Sequence, residues 1–355
     1  MTSTAAGPGP VLKCIVWDID NTLLDGIYLE SPDQPPQADP ELTAVLRELA
    51  GRGILQALAS RNPPEAAAWV QQATGLEFAA AECGWGSKAE SIGRIAAELG
   101  LELESFAFVD DDMLERAEVA AALPDVLVLT PEDAAEAPGW PQFSPRVITA
   151  EARRRSDLYA ERRRRQAAAA AFGGSRDDFL RQAGTRITIG RAALADAPRL
   201  HELSVRTHQL NSVGEPIAAT ELASLISSPG HVVATVTLAD NFGDDGLVGA
   251  AIMTGKASAV MTAPAIMMSC RALGRGALDA LLAWLCRTAA STGATEIQVP
   301  CLVTERNVPM RLALAAAGLR AEPGAAAAGG RALFARSVAG ELPALAGWVT
   351  DRDAP

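Results

Sequence analysis

The chain has 355 residues, a net charge of −12 and 49% hydrophobic residues. Single cores seldom grow past about 250 to 300 residues, so two domains are expected. No apolar run approaches the ~20 residues that a bilayer span needs, and the first residues, MTSTAAGPGP, lack the basic-then-apolar order of a secretory leader.

Cys14, Cys83, Cys270, Cys286 and Cys301 are scattered without a CxxC pair, which fits a reducing cytoplasm better than disulfides or a zinc site. The charge is uneven. Residues 1–150 carry 8 Lys or Arg against 24 Asp or Glu, and residues 151–355 carry 23 against 19. Nucleic acid needs clustered cations, so it is not expected on the first half. The second half suits an acidic partner.

In chain order, VLKCIVW reads as a buried strand of a parallel sheet. PELTAVLRELAGRG predicts a helix stopping at Gly51 or Gly53, ILQALAS a strand, PEAAAWVQQAT a helix, and SKAESIGRIAAELG another helix. FAFVDDD is a strand ending in acids, MLERAEVAAAL a helix and VLVL a further strand. This alternation predicts a doubly wound parallel sheet whose site lies at the carboxyl ends of the strands. PGWPQFSPRVITA, with three prolines, marks a domain exit, and a helical segment with seven arginines follows it. That segment is either a solvated interdomain helix or a docking face for an acidic partner.

The second domain starts near TRITIGRA. It continues through strands VVATVTLA, LVGAAIMTG and SAVMTAPAIMMSC, helix GALDALLAWLCRTAAST, strand EIQVPCL and a helix around NVPMRLALAAAG, a mixed α+β pattern. The stretch EPGAAAAGGRA and the residues after Trp348 are expected to be loosely ordered. The expected boundaries are 1–145 for the first domain, 146–180 for the arginine-rich linker and 181–340 for the second domain.

Two acids ending a buried strand need a reason, because desolvating an unpaired carboxylate costs several kcal/mol or shifts its pKa. Asp18 and Asp20 stand at positions i and i+2 of an extended segment and point toward one site. Asp110 and Asp111 end another strand at the same edge, and a shared hard cation such as Mg2+ would pair with these oxygens. Asp112 reads instead as a helix cap. In the second half, Arg271-x-x-Gly274-Arg275-Gly276 lies between a strand and a helix, where backbone N–H groups receive phosphates; a plain glycine turn is the competing reading.

The stretch DIDNT matches the Asp-x-Asp-x-Thr pattern of the haloacid-dehalogenase (HAD) superfamily. That resemblance implies Asp18 as nucleophile and metal ligand, and Asp20 as acid/base whose backbone carbonyl helps hold the metal. Asp110 and Asp111 would be metal ligands, Lys88 the balancing cation, and Asn21, Thr22, Ser60, Arg61 and Asn62 phosphate contacts. The glycine loop resembles the pyrophosphate loop of GNAT acyltransferases, with Arg271, Gly274, Arg275 and Gly276 expected to hold a pantetheine phosphate. The implied fold is an α/β, doubly wound parallel-sheet HAD-like domain followed by an α+β GNAT-like domain.

Both halves together, over roughly residues 11–320, resemble the FkbH-like glyceryl transferase/phosphatases of polyketide pathways. The resemblance is carried by CIVWDIDNTLLDGIYLE, FAFVDDDMLERAEV, LSVRTHQLN, LADNFGDDGLVGAAIM and MMSCRALGRG. It implies a route from 1,3-bisphosphoglycerate to a glyceryl thioester on a phosphopantetheinylated acyl carrier protein, with Mg2+ as cofactor and neither nucleic acid nor membrane as partner. Ile19 stands where some members carry a thiol, so Cys270 becomes the alternative acyl carrier, with an inert buried cysteine as the competing reading. His208 replaces an Asn of the family pattern and is either a base or a hydrogen-bonding residue. A HAD phosphatase fused to an acyltransferase for another acyl group or an amine is the alternative enzyme. A catalytically dead carrier-binding module is the alternative of a different class.

Overall fold

The structure, a computed structural model, describes residues 12–31, 34, 36–144, 148–255, 258–322 and 330–352. The chain divides into two compact units between Arg164 and Arg165.

The first unit runs β1 (Cys14–Trp17), α1 (Pro40–Gly51), β2 (Leu55–Ser60), α2 (Pro64–Thr74), β3 (Ala80–Cys83), α3 (Lys88–Leu99), β4 (Phe106–Val109), α4 (Met113–Ala122), β5 (Leu127–Leu129), α5 (Pro131–Glu136), α6 (Ala150–Arg153) and α7 (Arg155–Ala171). Its five strands are all parallel in the order β3-β2-β1-β4-β5. β1, β2 and β4 are buried throughout, as apolar strands covered on both faces must be. Alternation along β1 sends Ile15 and Trp17 into one core layer and Cys14 and Val16 into the other. Local signals set the helix ends: Asp39 accepts the Leu42 N–H ahead of Pro40, and α3 stops at Gly100, whose φ of 66° suits glycine.

The order places the topological switch between β1 and β4. Their carboxyl ends lie side by side, with Trp17 opposite Val109, so the residues that follow, Asp18 and Asp110, flank the crevice where such sheets bind ligands. Ser60 ends β2 on the other side of β1.

The last turns of α7 open the second unit, which continues with α8 (Arg176–Gln182), β6 (Arg186–Arg191), α9 (Ala197–Arg206), α10 (Ala219–Ser227), β7 (His231–Asp240), β8 (Gly243–Thr254), β9 (Val260–Met268), α11 (Ala277–Ser291), β10 (Glu296–Leu302), α12 (Val308–Ala316), β11 (Arg320–Ala321), β12 (Arg331–Ser337) and β13 (Val349–Asp351). Eight strands form one mixed sheet in the order β11-β12-β10-β9-β8-β7-β6-β13. Its core lies on two faces, one covered by α11 and α12 and the other by α9 and α10. An α/β parallel-sheet domain followed by an α+β domain is the architecture expected from the sequence.

One expectation needs correction, and a second falls mostly outside the described residues. Residues 349–352 are ordered: β13 pairs in parallel with Ile187–Ile189 of β6, and Arg352 donates its N–H to Ile189 O, while residues 353–355 lie outside the described residues. A three-residue strand has no periodicity to read, and its partner is remote in sequence. Most of EPGAAAAGGRA lies outside the described residues, but Arg331 and Ala332 begin β12.

Candidate active site

Asp18, Asp110 and Asp111 each bring a carboxylate oxygen within 4.8 Å of the others. Lys88, the first residue of α3 and 4% exposed, donates to Asp18 Oδ1 (2.5 Å) and Asp110 Oδ2 (2.9 Å). Asp110 Oδ1 accepts from the Asp112 N–H, and Asp112 caps α4 by accepting from Leu114. Thr22 Oγ1 accepts from the Asp111 N–H (3.2 Å) and lies 3.4 Å from Asp111 Oδ1, tying the DIDNT turn to the end of β4.

Burial pushes Asp18 up to about 6, with the Asp110 charge adding to the effect and Lys88 opposing it. Burial also raises Asp111, again helped by Asp110. Burial works against the Lys88 charge, but the two carboxylates more than offset it and hold the ammonium above the ordinary lysine range. Three carboxylates face one ammonium, so the pocket carries excess negative charge on hard oxygen donors. That donor set fits Mg2+, with Asp18, Asp110 and Asp111 as the side chains that would hold it.

Mg2+ is accordingly expected to raise the melting temperature of the protein by about 5 °C at saturating concentration. Asp110→Asn should remove most of that gain in a differential scanning measurement with and without the ion. An equal gain in the variant would take Asp110 out of the metal set.

Asp20 is held apart from this cluster. Its Oδ1 accepts from the Tyr28 N–H (2.8 Å), and its Oδ2 accepts from Asn62 Nδ2 (2.9 Å). Two acids two residues apart thus have different surroundings: Asp18 beside a buried lysine, Asp20 fixed by two neutral donors. Asn21 between Asp20 and Thr22 takes a left-handed φ of 49° and donates its N–H to Gly26 O. Ser60 is buried, with Oγ accepting from Asn62 (3.0 Å). Arg61 turns to α4 and pairs with Glu115 (2.9 Å) and Glu118 (3.9 Å). Neither glutamate was expected at the site, although the i, i+3 spacing in the acidic MLERAE run is a legible sign of one charged helix face.

In the second unit, the strand-to-helix loop after β9 begins with Ser269, whose Oγ accepts from the Arg271 N–H, and a 3-10 turn over Cys270–Ala272. Gly274 and Gly276 have φ of 74° and 78°, and a Cβ at either would meet nothing within 4 Å. The glycines are required by conformation, and the space before α11 is open. Gly276 caps α11 without a side chain, which leaves the first N–H groups of a 15-residue helix for an anion.

Arg275 points the other way. It is 4% exposed and ion-pairs with Asp245 and with Asp240 (2.6 Å). Arg165 completes the cluster by pairing with Asp240 and, at 3.4 Å, Asp245. The DNFGDDG stretch thus locks the β7–β8 hairpin to the glycine loop and to Arg165, the first residue of the second unit. Arg271 donates to Ser269 Oγ (3.3 Å) and the Asp245 carbonyl (3.5 Å). Cys270 is a half-buried free thiol and His208 an exposed turn residue. The arginine-rich segment divides similarly. Arg162 and Arg163 donate to the Leu99 and Phe78 carbonyls, Arg165 joins the buried cluster, and Arg153, Arg154 and Arg164 are exposed.

β9 and β10 pair over only three residues, Val260–Thr262 with Glu296–Gln298, and then part. The gap is filled by the chain itself. Leu210 O accepts from the Met268 N–H, the Ser212 N–H donates to Ile266 O, and Ser212 O accepts from the Leu302 N–H. Asn307 Nδ2 holds Asn211 O (3.3 Å), and Asn211 Oδ1 accepts from the Val213 N–H (2.8 Å). The RTHQLN motif therefore has a structural role in the sheet. Its Asn211 is committed to that seam.

No family model matches the sequence, and no curated protein does. Among solved structures, the chain is similar to the phosphatase-containing N-terminal part of a Bacteroides fragilis protein complexed with Mg, at 27% identity over 36% of this chain and 38% of that one, TM-score 0.33. The chain thus spans 38% of the length of that structure. It is also similar to 3-deoxy-D-manno-octulosonate 8-phosphate phosphatase from Moraxella catarrhalis (21% identity, 31% of this chain and 63% of that one, TM-score 0.27) and to the GNAT domain of S. lividans PAT (14%, 42% and 89%, TM-score 0.34). Among the described residues, no helix is long and apolar enough to cross a membrane.

Proposed function

We propose that the protein is a bifunctional glyceryl transferase/phosphatase: a HAD-type, Mg2+-dependent phosphoryl site joined to a GNAT-like unit that receives a carrier-borne pantetheine thiol. The observation that carries the phosphoryl half is the division of labour between Asp18 and Asp20. Asp18, ionised beside Lys88, attacks phosphorus through a carboxylate oxygen while the ester P–O bond breaks and Asp20 gives its proton to the leaving oxygen. Asp20, now a carboxylate, takes a proton from water as that water attacks the phosphoryl group on Asp18, releasing phosphate and restoring the nucleophile. Lys88 and the Ser60 hydroxyl balance charge on the phosphoryl oxygens. Mg2+ held by Asp18, Asp110 and Asp111 would neutralise the incoming phosphate and so permit anion-to-anion approach.

The acyl half rests on the open helix end at Gly276 and the left-handed glycines before it, which suit the phosphate of a phosphopantetheine arm. The substrate class, a phosphoglyceryl group from 1,3-bisphosphoglycerate, rests on the sequence resemblance. Its acyl phosphate is activated for thiol attack, and its remaining phosphate monoester suits the Asp18 site. Ile19, buried between the aspartates, offers no thiol, so direct transfer to the carrier or use of another cysteine is required.

Intact-mass spectrometry of a holo acyl carrier protein, incubated with the enzyme, Mg2+ and freshly generated 1,3-bisphosphoglycerate, tests the whole route. A phosphate-free glyceryl adduct is the expected result. No adduct, with phosphate still released from simple esters, would move the second unit to another acyl group or an amine.

A further inference from the structure

We propose that Asn62 is the positioning residue that holds Asp20 in its acid/base geometry and orients the Ser60 hydroxyl toward the phosphoryl group; this rests on the phosphatase reading of the site. Asn62 is fully buried two residues past the end of β2, and Pro63 and Pro64 fix the backbone that follows it. Its amide nitrogen has two hydrogens, and both are used: one on Asp20 Oδ2 at 2.9 Å, the other on Ser60 Oγ at 3.0 Å. The reverse amide orientation would set an oxygen against the Asp20 carboxylate, so the partners determine the orientation.

Two consequences follow from hydrogen-bond chemistry. Ser60 Oγ serves Asn62 as an acceptor, which leaves its own proton for a phosphoryl oxygen. Each oxygen of Asp20 accepts one bond, from Tyr28 N–H and from Asn62, and retains a lone pair where a transferable proton can sit. Asn62 Oδ1 is meanwhile buried without a hydrogen-bond partner among the described residues. An amide selected only for packing would be expected to satisfy both ends. This one accepts a buried, unsatisfied oxygen in order to place its nitrogen between the two active groups.

A positioning role for the general acid has a signature that misfolding lacks: it depends on the leaving group. The test compares kcat/KM for an alkyl phosphate, glycerol phosphate, with that for acetyl phosphate, in wild type, Asn62→Ala and the isosteric Asn62→Asp. This ratio reports steps up to departure of the leaving group and excludes the later hydrolysis common to both substrates. An alkoxide needs a proton to leave and an acetate does not. Asn62→Ala is expected to lower kcat/KM for glycerol phosphate by about a hundredfold and for acetyl phosphate by less than about tenfold. In an Asp20→Asn background the same change should add less than about threefold on glycerol phosphate, because the two residues act as a unit.

Equal losses on both substrates in folded Asn62→Ala and Asn62→Asp proteins would overturn the proposal. A wild-type enzyme inert on both substrates with Mg2+ would overturn it together with the phosphatase reading beneath it.

Discussion

Asp18→Asn is expected to reduce phosphate release by about a thousandfold or more while leaving the fold intact. The amide is nearly isosteric and its oxygen can still accept from Lys88, but it cannot form the phosphoryl bond. The stability of the protein without added metal should move the opposite way. The folded carboxyl lies near 6 against an unfolded value of 3.8, so the folded state holds its proton more tightly. Stability from this group is therefore full below about pH 4, falls as the pH rises toward 6, and stays reduced above it. At pH 8 the uncharged amide avoids a cost of up to about 3 kcal/mol. A phosphate-release assay paired with melting curves at pH 8 checks both halves. Residual activity within about tenfold of wild type would remove Asp18 as nucleophile. With the carrier present, acyl loading should continue and a phosphorylated glyceryl adduct should accumulate; equal loss of both steps would contradict separate sites.

Lys88→Met is the second large effect. The ammonium is buried and serves two buried carboxylates at once, and removing one member of such a group leaves uncompensated charge. A loss of about 3–5 kcal/mol is expected, with turnover down by at least about a hundredfold. The direction of pH dependence is fixed by the same chemistry. Without Lys88 the main influence opposing the burial that raises Asp18 is gone, so the stability deficit should shrink as the pH falls and the carboxyl takes up its proton. Denaturant melts at pH 8 and pH 5 measure this directly. A midpoint unchanged at both pH values would show that Lys88 is not the counter-charge of the site.

The acidic edge was legible because a buried strand cannot carry carboxylates without cause, and β1 and β4 each end in a pair of them. The long helices α1, α2, α3 and α11 were legible from capping residues and apolar spacing. What stayed hidden had weak local signals. β3 is a four-residue edge strand without a β-branched residue, α9 and α10 start without a side-chain cap, and α5 depends on a Thr130–Asp133 capping box that the sequence does contain. At the site, Asp18, Lys88 and Asp110 converge as the pattern implied. Arg61 and Arg275 were expected at phosphates and instead face Glu115 and Asp245. Sequence order reveals that an arginine adjoins a loop, but not which way its side chain turns. The same holds for RTHQLN, whose asparagine spans a gap between two strands that no linear reading locates.

The most direct measurement is mass mapping of the enzyme after rapid acid quench during turnover of a phosphate ester with Mg2+. A transient gain of one phosphoryl group is expected on the peptide containing Asp18, absent in Asp18→Asn and lengthened in lifetime by Asp20→Asn. Phosphate release from the wild type with no phosphorylated Asp18 peptide at any quench time would contradict it.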